Sequence, residues 1–140
     1  MAVFYKMVVD EVIDYNEENI NITKLEFPKL DVLAVYRSVD GTLESLVNKL
    51  CEILNPTKST LVVGDMNVCN IKRPDNQLKR VLEGMGFKEI VREATHIDGG
   101  HLDHAYVLNL GSLKEGTDAQ LVSKYYSDHD AVCIILKLNL

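Results

Sequence analysis

An unbroken apolar run, Val32, Leu33, Ala34, Val35 and Tyr36, constrains this chain more than any other feature. Such a run leaves no polar face, so a strand made of it must be covered on both sides. A second short run, Leu61, Val62 and Val63, has the same character. Between them Leu43, Leu46, Val47, Leu50, Ile53 and Leu54 recur at spacings of three and four, as in an amphipathic helix. Thr42 is placed to cap that helix, with Glu44 and Ser45 in its first turn, and Asn55-Pro56 stops it. Strands with two covered faces beside a helix with one apolar stripe predict a layered α/β domain.

The rest of the chain fits that plan. Residues 3–9 are β-branched and aromatic and read as a strand closed by Asp10, while residues 16–21 are polar and suit a turn. Residues 22–27 alternate apolar and polar, as in a strand with one wet face, and Pro28 ends it. A second helix is expected from about Pro74-Asp75, carrying Leu78, Val81 and Leu82 and stopping between Gly84 and Gly86. Residues 87–92, 102–108, 121–126 and 131–138 read as further strands, and residues 111–117 as loop. The expected fold is α/β with a mixed sheet, in one domain of 140 residues or a piece of a larger one. The chain opens in a buried-looking strand without the partners such a strand needs. Completion of the sheet by a missing N-terminal segment, or pairing with another copy, is therefore left open.

Composition removes several function classes. A hydrophobic content of 46% is too high for a disordered chain, yet no apolar run is long enough to cross a bilayer as a helix. The first residues do not form a signal-peptide pattern. Cys51, Cys69 and Cys133 are odd in number and far apart, which argues against a disulfide framework or a CxxC-type zinc site. The expected location is a reducing one, intracellular and either nuclear or cytoplasmic. A net charge of −6 argues against strong non-specific binding to nucleic acid. A phosphodiester substrate stays open, because a metal ion can supply positive charge locally.

Three segments carry chemistry. Gly64-Asp65-Met66-Asn67 lies where a buried strand opens into a loop, the place where α/β sheets bind ligands. The second segment is Thr95-His96-Ile97-Asp98-Gly99-Gly100-His101-Leu102-Asp103-His104, and the third is Ser127-Asp128-His129-Asp130 before the final strand. A carboxylate binds a hard cation or activates water, and an imidazole can bond a phosphoryl oxygen while another carboxylate orients it.

Taken in order, these segments resemble the closing motifs of the endonuclease/exonuclease/phosphatase family, which includes apurinic endonucleases, exonuclease III and DNase I. They look most like the endonucleases of non-LTR retrotransposons, where Val-Tyr-Arg-Ser, Gly-Asp-x-Asn and Thr-His-x-x-Gly-Gly-x-Leu-Asp-His occur together. The resemblance implies a partial DNase I-like α/β sandwich and a Mg²⁺-dependent reaction, with Mn²⁺ as an alternative ion. It implies hydrolysis of a phosphodiester, with DNA favoured over RNA and no membrane partner. By position, Asp65 matches the aspartate that orients or deprotonates water, and Asn67 the asparagine that contacts the phosphate. His129 matches the histidine that stabilises the pentacovalent phosphate, and Asp103 the carboxylate that bonds that histidine. Asp128 matches a metal-associated aspartate and Tyr36 a phosphate-contacting tyrosine. The Asn and Glu motifs that open family members do not occur upstream of Tyr36. The expectation is therefore a back half to two-thirds of the domain, with weak or absent activity alone.

Plainer readings stand beside these. Asp65 suits a turn cap with Asn67, His129 a solvated loop, Asp103 and His104 an ion pair, and Tyr36 core packing. His96, His101 and His104 are spaced so that a glycine-rich loop can gather them round zinc. Lys72-Arg73 and Lys79-Arg80 read as wet surface and Tyr125-Tyr126 as strand packing. A non-catalytic remnant that binds or scaffolds, and a small-molecule or lipid phosphatase of the same family, are the alternative functions.

Overall fold

The computed structural model describes residues 8–123 and 127–139. Its elements in chain order are β1 (Glu11–Glu17), β2 (Ile20–Phe27), β3 (Leu30–Arg37), α1 (Leu43–Ile53), β4 (Thr60–Asp65), α2 (Gln77–Gly84), β5 (Lys88–Glu89), β6 (Asp103–Leu108), β7 (Asp118–Val122) and β8 (Ala131–Ile135). Six strands form one sheet in the order β1-β2-β3-β4-β6-β5, and β7 pairs with β8 in a second. Within the large sheet β3 and β4 run parallel and the other pairs antiparallel, so the sheet is mixed.

Side-chain alternation divides the apolar residues between two cores. Ile20 and Ile22 of β2, Leu33 and Val35 of β3, Val62 of β4 and Tyr106 of β6 face α1 and α2. Leu25 and Phe27, Leu30 and Val32, Leu61, and Ala105 and Val107 face the other way, where Ala119, Leu121, Val132 and Ile134 of the small sheet pack on them. Covering both faces of β3 removes its apolar run from water, and only Tyr36 in its apolar stretch emerges, 43% exposed.

Both helices start on capping side chains. Thr42 Oγ1 accepts the Ser45 N–H at 3.1 Å, and Asn76 Oδ1 accepts the Lys79 N–H at 3.0 Å. The second cap lies at Asn76, just past the expected Pro74-Asp75 start.

Other boundaries differ from expectation. Glu11–Glu17 is a strand although it is rich in polar residues and only Ile13 and Tyr15 are half-buried. Pairing with β2 makes it so, reinforced by Thr23 Oγ1 donating to Asp14 Oδ1 at 2.6 Å. The turn expected over residues 16–21 shrinks to Glu18 and Asn19, the latter at a φ of 66°. Of the strand expected over residues 3–9, residues 8–9 are not in a strand and residues 3–7 lie outside the described residues. The strand expected over 87–92 contracts to two residues, and that over 131–138 ends at Ile135. The strand expected over 121–126 lies at Asp118–Val122, with residues 124–126, including Tyr125 and Tyr126, outside the described residues.

Candidate active site

β4 delivers Asp65 to the end of the sheet through Gly64. At Gly64 φ is 151°, and a Cβ would lie 1.8 Å from the carbonyl oxygen of Val35 on the parallel neighbour. Only glycine lets β3 and β4 approach this closely. The loop beyond turns through Asn67, at a φ of 50°, whose backbone N–H donates to Asp65 Oδ1 at 3.1 Å. The turn-cap reading of Asp65 therefore holds for one of its oxygens. Arg37 braces this loop from β3. Its guanidinium donates to the carbonyls of Met66 (2.8 Å), Asn67 (2.7 Å) and Gly41, and the Asn67 amide donates back to the Arg37 carbonyl.

Register sets the neighbours of Asp65. Tyr36 pairs with it from β3 and Asp103 from β6, so the three share one row across the sheet. Asp103 is held in turn by Thr95, which is fully buried. Thr95 Oγ1 accepts the backbone N–H groups of Leu102 (3.2 Å) and Asp103 (3.0 Å). The Thr95 and His96 N–H groups close on the Gly100 carbonyl, and the Met66 N–H bonds the Leu102 carbonyl.

The third segment docks on the second through its backbone. Asp130 N–H donates to the Thr95 carbonyl at 2.7 Å and Ile97 N–H to the Asp128 carbonyl at 2.8 Å, bridging His96 and His129. His129 Nδ1 then lies 2.7 Å from Asp103 Oδ2, and Nε2 lies 3.9 Å from Asp65 Oδ2. One donor atom from each of Asp65, Asp103 and His129 lies within 4.8 Å of the other two. Asp128 joins His129 in a second cluster with His96, its Oδ2 3.2 Å from His96 Nε2.

Electrostatics follow from this crowding. Desolvation raises the Asp65 carboxyl above the usual range, and the charge of Asp103 adds to it against the Asn67 N–H, His129 and His96. For His129 desolvation works against the cation. The Asp103 hydrogen bond and the charges of Asp103, Asp65 and Asp128 outweigh it, and the net pKa is raised. The site thus pairs a carboxylate more basic than usual with a stabilised imidazolium, a base and a donor.

The other histidines separate. Neighbours along a strand point to opposite faces, so His104 turns away from Asp103, and no ion pair forms between them. Buried His104 directs Nε2 to the carbonyls of Val68 (2.8 Å) and His101 (3.0 Å) and takes the Tyr106 hydroxyl at Nδ1 (2.9 Å). Desolvation and the nearby His101 bring its pKa down to about 4, which keeps it neutral. His101 Nε2 lies 3.1 Å from Glu89 Oε1 without hydrogen-bonding geometry. Among the described residues His96, His101 and His104 therefore share no metal cluster, which corrects the zinc arrangement their spacing allowed. Two contributors were not assigned from sequence: Arg37, which lies in the quoted Val-Tyr-Arg-Ser motif, and Thr95, the first residue of the Thr-His motif.

No protein-family model matches the chain, and no curated protein does. Solved structures do. The endonuclease domain of TRAS1, a telomere-specific non-LTR retrotransposon, superposes with a TM-score of 0.66 at 18% identity, over 91% of this chain and 67% of that one. The Haemophilus ducreyi cytolethal distending toxin gives 0.65 at 17% identity, over 94% and 60%. An endonuclease/exonuclease/phosphatase family protein from Leptotrichia buccalis gives 0.61 at 8% identity, over 93% and 62%. The fold of this chain is thus the DNase I-like mixed α/β fold, and the chain spans about two-thirds or less of the length of each of these structures.

Proposed function

We propose that this chain is a metal-dependent phosphodiester hydrolase of the endonuclease type, acting on DNA. The observation that carries the reading is the meeting of Asp65, Asp103 and His129 from three distant segments. The likeness in fold to a retrotransposon endonuclease domain is in keeping with it.

Asp65 is the group that orients water and accepts its proton, since desolvation raises its pKa and makes it a better base than an ordinary aspartate. His129 presents Nε2 to a phosphoryl oxygen while Asp103 holds Nδ1, so Asp103 is a positioning residue. Asn67 has one amide hydrogen on the Arg37 carbonyl, which fixes its orientation, and a second for the phosphate. The half-exposed Tyr36, in register with Asp65, contacts the substrate backbone. The carboxylates of Asp65 and Asp128, each clustered with His129, are hard oxygen donors of the kind Mg²⁺ or Mn²⁺ takes, together with water. Asp128, an exposed carboxylate, would hold the ion. When bound, the ion would neutralise charge on the phosphate.

Nicking of supercoiled DNA with Mg²⁺ and excess protein tests the assignment. Asp65→Ala and His129→Ala are each expected to slow cleavage at least ~100-fold. Cutting that survives both changes overturns it. No glutamate among the described residues joins either metal-competent cluster, so cleavage by this chain is expected to be slow. The same observation favours a second reading, a non-catalytic protein that keeps the fold and binds or scaffolds. A Mg²⁺-dependent rise in Tm supports the hydrolase, because a working site stabilises the fold by mass action. No shift together with no cutting supports the second reading.

A further inference from the structure

We propose that His96, Asp128 and His129 form a site for a borderline divalent cation of the zinc class. One donor atom from each lies within 4.8 Å of the other two. His96 Nε2 and Asp128 Oδ2 stand 3.2 Å apart, and ligands ~2.0–2.2 Å from a tetrahedral zinc are separated by roughly 3.4 Å. Backbone pairing of the two segments fixes the histidines relative to each other, with ring centroids 4.8 Å apart and nearly perpendicular. Asp128 is exposed and free to follow an ion.

The carboxylates behind the rings point the same way. His96 Nδ1 lies 2.8 Å from Asp98 Oδ1, and His129 Nδ1 lies 2.7 Å from Asp103 Oδ2. Metal-ligating histidines usually give one ring nitrogen to a carboxylate and turn the other to the ion. The His129 ring is held in that way, whereas His96 Nδ1 accepts the Asp98 backbone N–H at 3.3 Å beside the Asp98 carboxylate, which is itself fixed by the Gly100 N–H at 2.8 Å. Two imidazoles and one carboxylate suit zinc or cobalt, whereas Mg²⁺ takes oxygen. The ion would take the His129 nitrogen offered to the phosphate and the carboxylate of Asp128. A zinc-class ion here therefore competes with the reaction proposed above, with which it shares those two residues.

Titration of the full chain with Co²⁺, followed by visible absorption, tests the site without any need for turnover. One equivalent is expected to bind and to be displaced by Zn²⁺, with excess Mg²⁺ having little effect. His96→Ala should abolish the spectrum, and Asp98→Asn should weaken binding by about 10–100-fold. His101→Ala should leave it unchanged. Thermal unfolding without metal shows that each variant is folded, and Asp98→Asn tests the site should His96→Ala unfold. Equal binding by wild type, His96→Ala and Asp98→Asn overturns the site, as does a thiolate-to-cobalt charge-transfer band, which would place the ion on a cysteine. Cobalt binding through His96 in a chain that never cuts DNA would sink the hydrolase reading and leave this site standing. Cleavage without cobalt binding would do the reverse.

Discussion

Among single residues, His129 and the carboxylates around it carry the site. Its imidazolium is favoured in the fold, so the stability it contributes is full below the unfolded pKa of about 6.5 and is lost as pH rises through the folded value. An NMR titration should therefore place the His129 midpoint above that of an exposed histidine, and Asp103→Asn should bring it down. A midpoint that does not move on Asp103→Asn would separate the two residues. Gly64 is the other residue on which the site depends. Gly64→Ala sets a methyl group into the Val35 carbonyl, and nothing short of moving β3 from β4 relieves the contact. We expect a loss of more than about 4 kcal/mol, or failure to fold, measured by urea unfolding. A change below about 1 kcal/mol would mean that the strands are not packed as described.

At the scale of elements, the loop from Thr95 to Asp103 is the part that brings strands into register with the third segment. Thr95→Val keeps the shape but leaves the Leu102 and Asp103 N–H groups without their acceptor, at a cost of about 2–3 kcal/mol. Unfolding of that variant checks it, and cleavage should fall along with stability as Asp103 loosens. The helices and the buried run of β3 were legible in the sequence, because capping side chains and apolar spacing act locally. β1 was not, because its strand character comes from pairing with β2 rather than from its own polar residues. The same limit applies at the site. Asp65 and Asp103 stand out in their motifs, but nothing in the spacing of His96 says that its partners are Asp128 and Asp98 instead of His101 and His104. Those partners are set by a backbone bridge between segments far apart in the chain.

At the scale of the molecule, the site lies where three supports end together. The large sheet carries Asp65 and Asp103, the brace from Arg37 holds the loop between β4 and α2, and the segment entering β8 brings His129. β8 is anchored by Val132 and Ile134 on the core opposite the helices, so the imidazole keeps its place only while that second core is intact. We propose that Asp103 and His129, brought together this way, act as one unit on a phosphodiester. Single-turnover cleavage by Asp103→Asn, His129→Ala and the double variant measures this directly. The double variant is expected to be no slower than His129→Ala alone, since Asp103 works through the histidine. Losses that multiply in the double variant would contradict it.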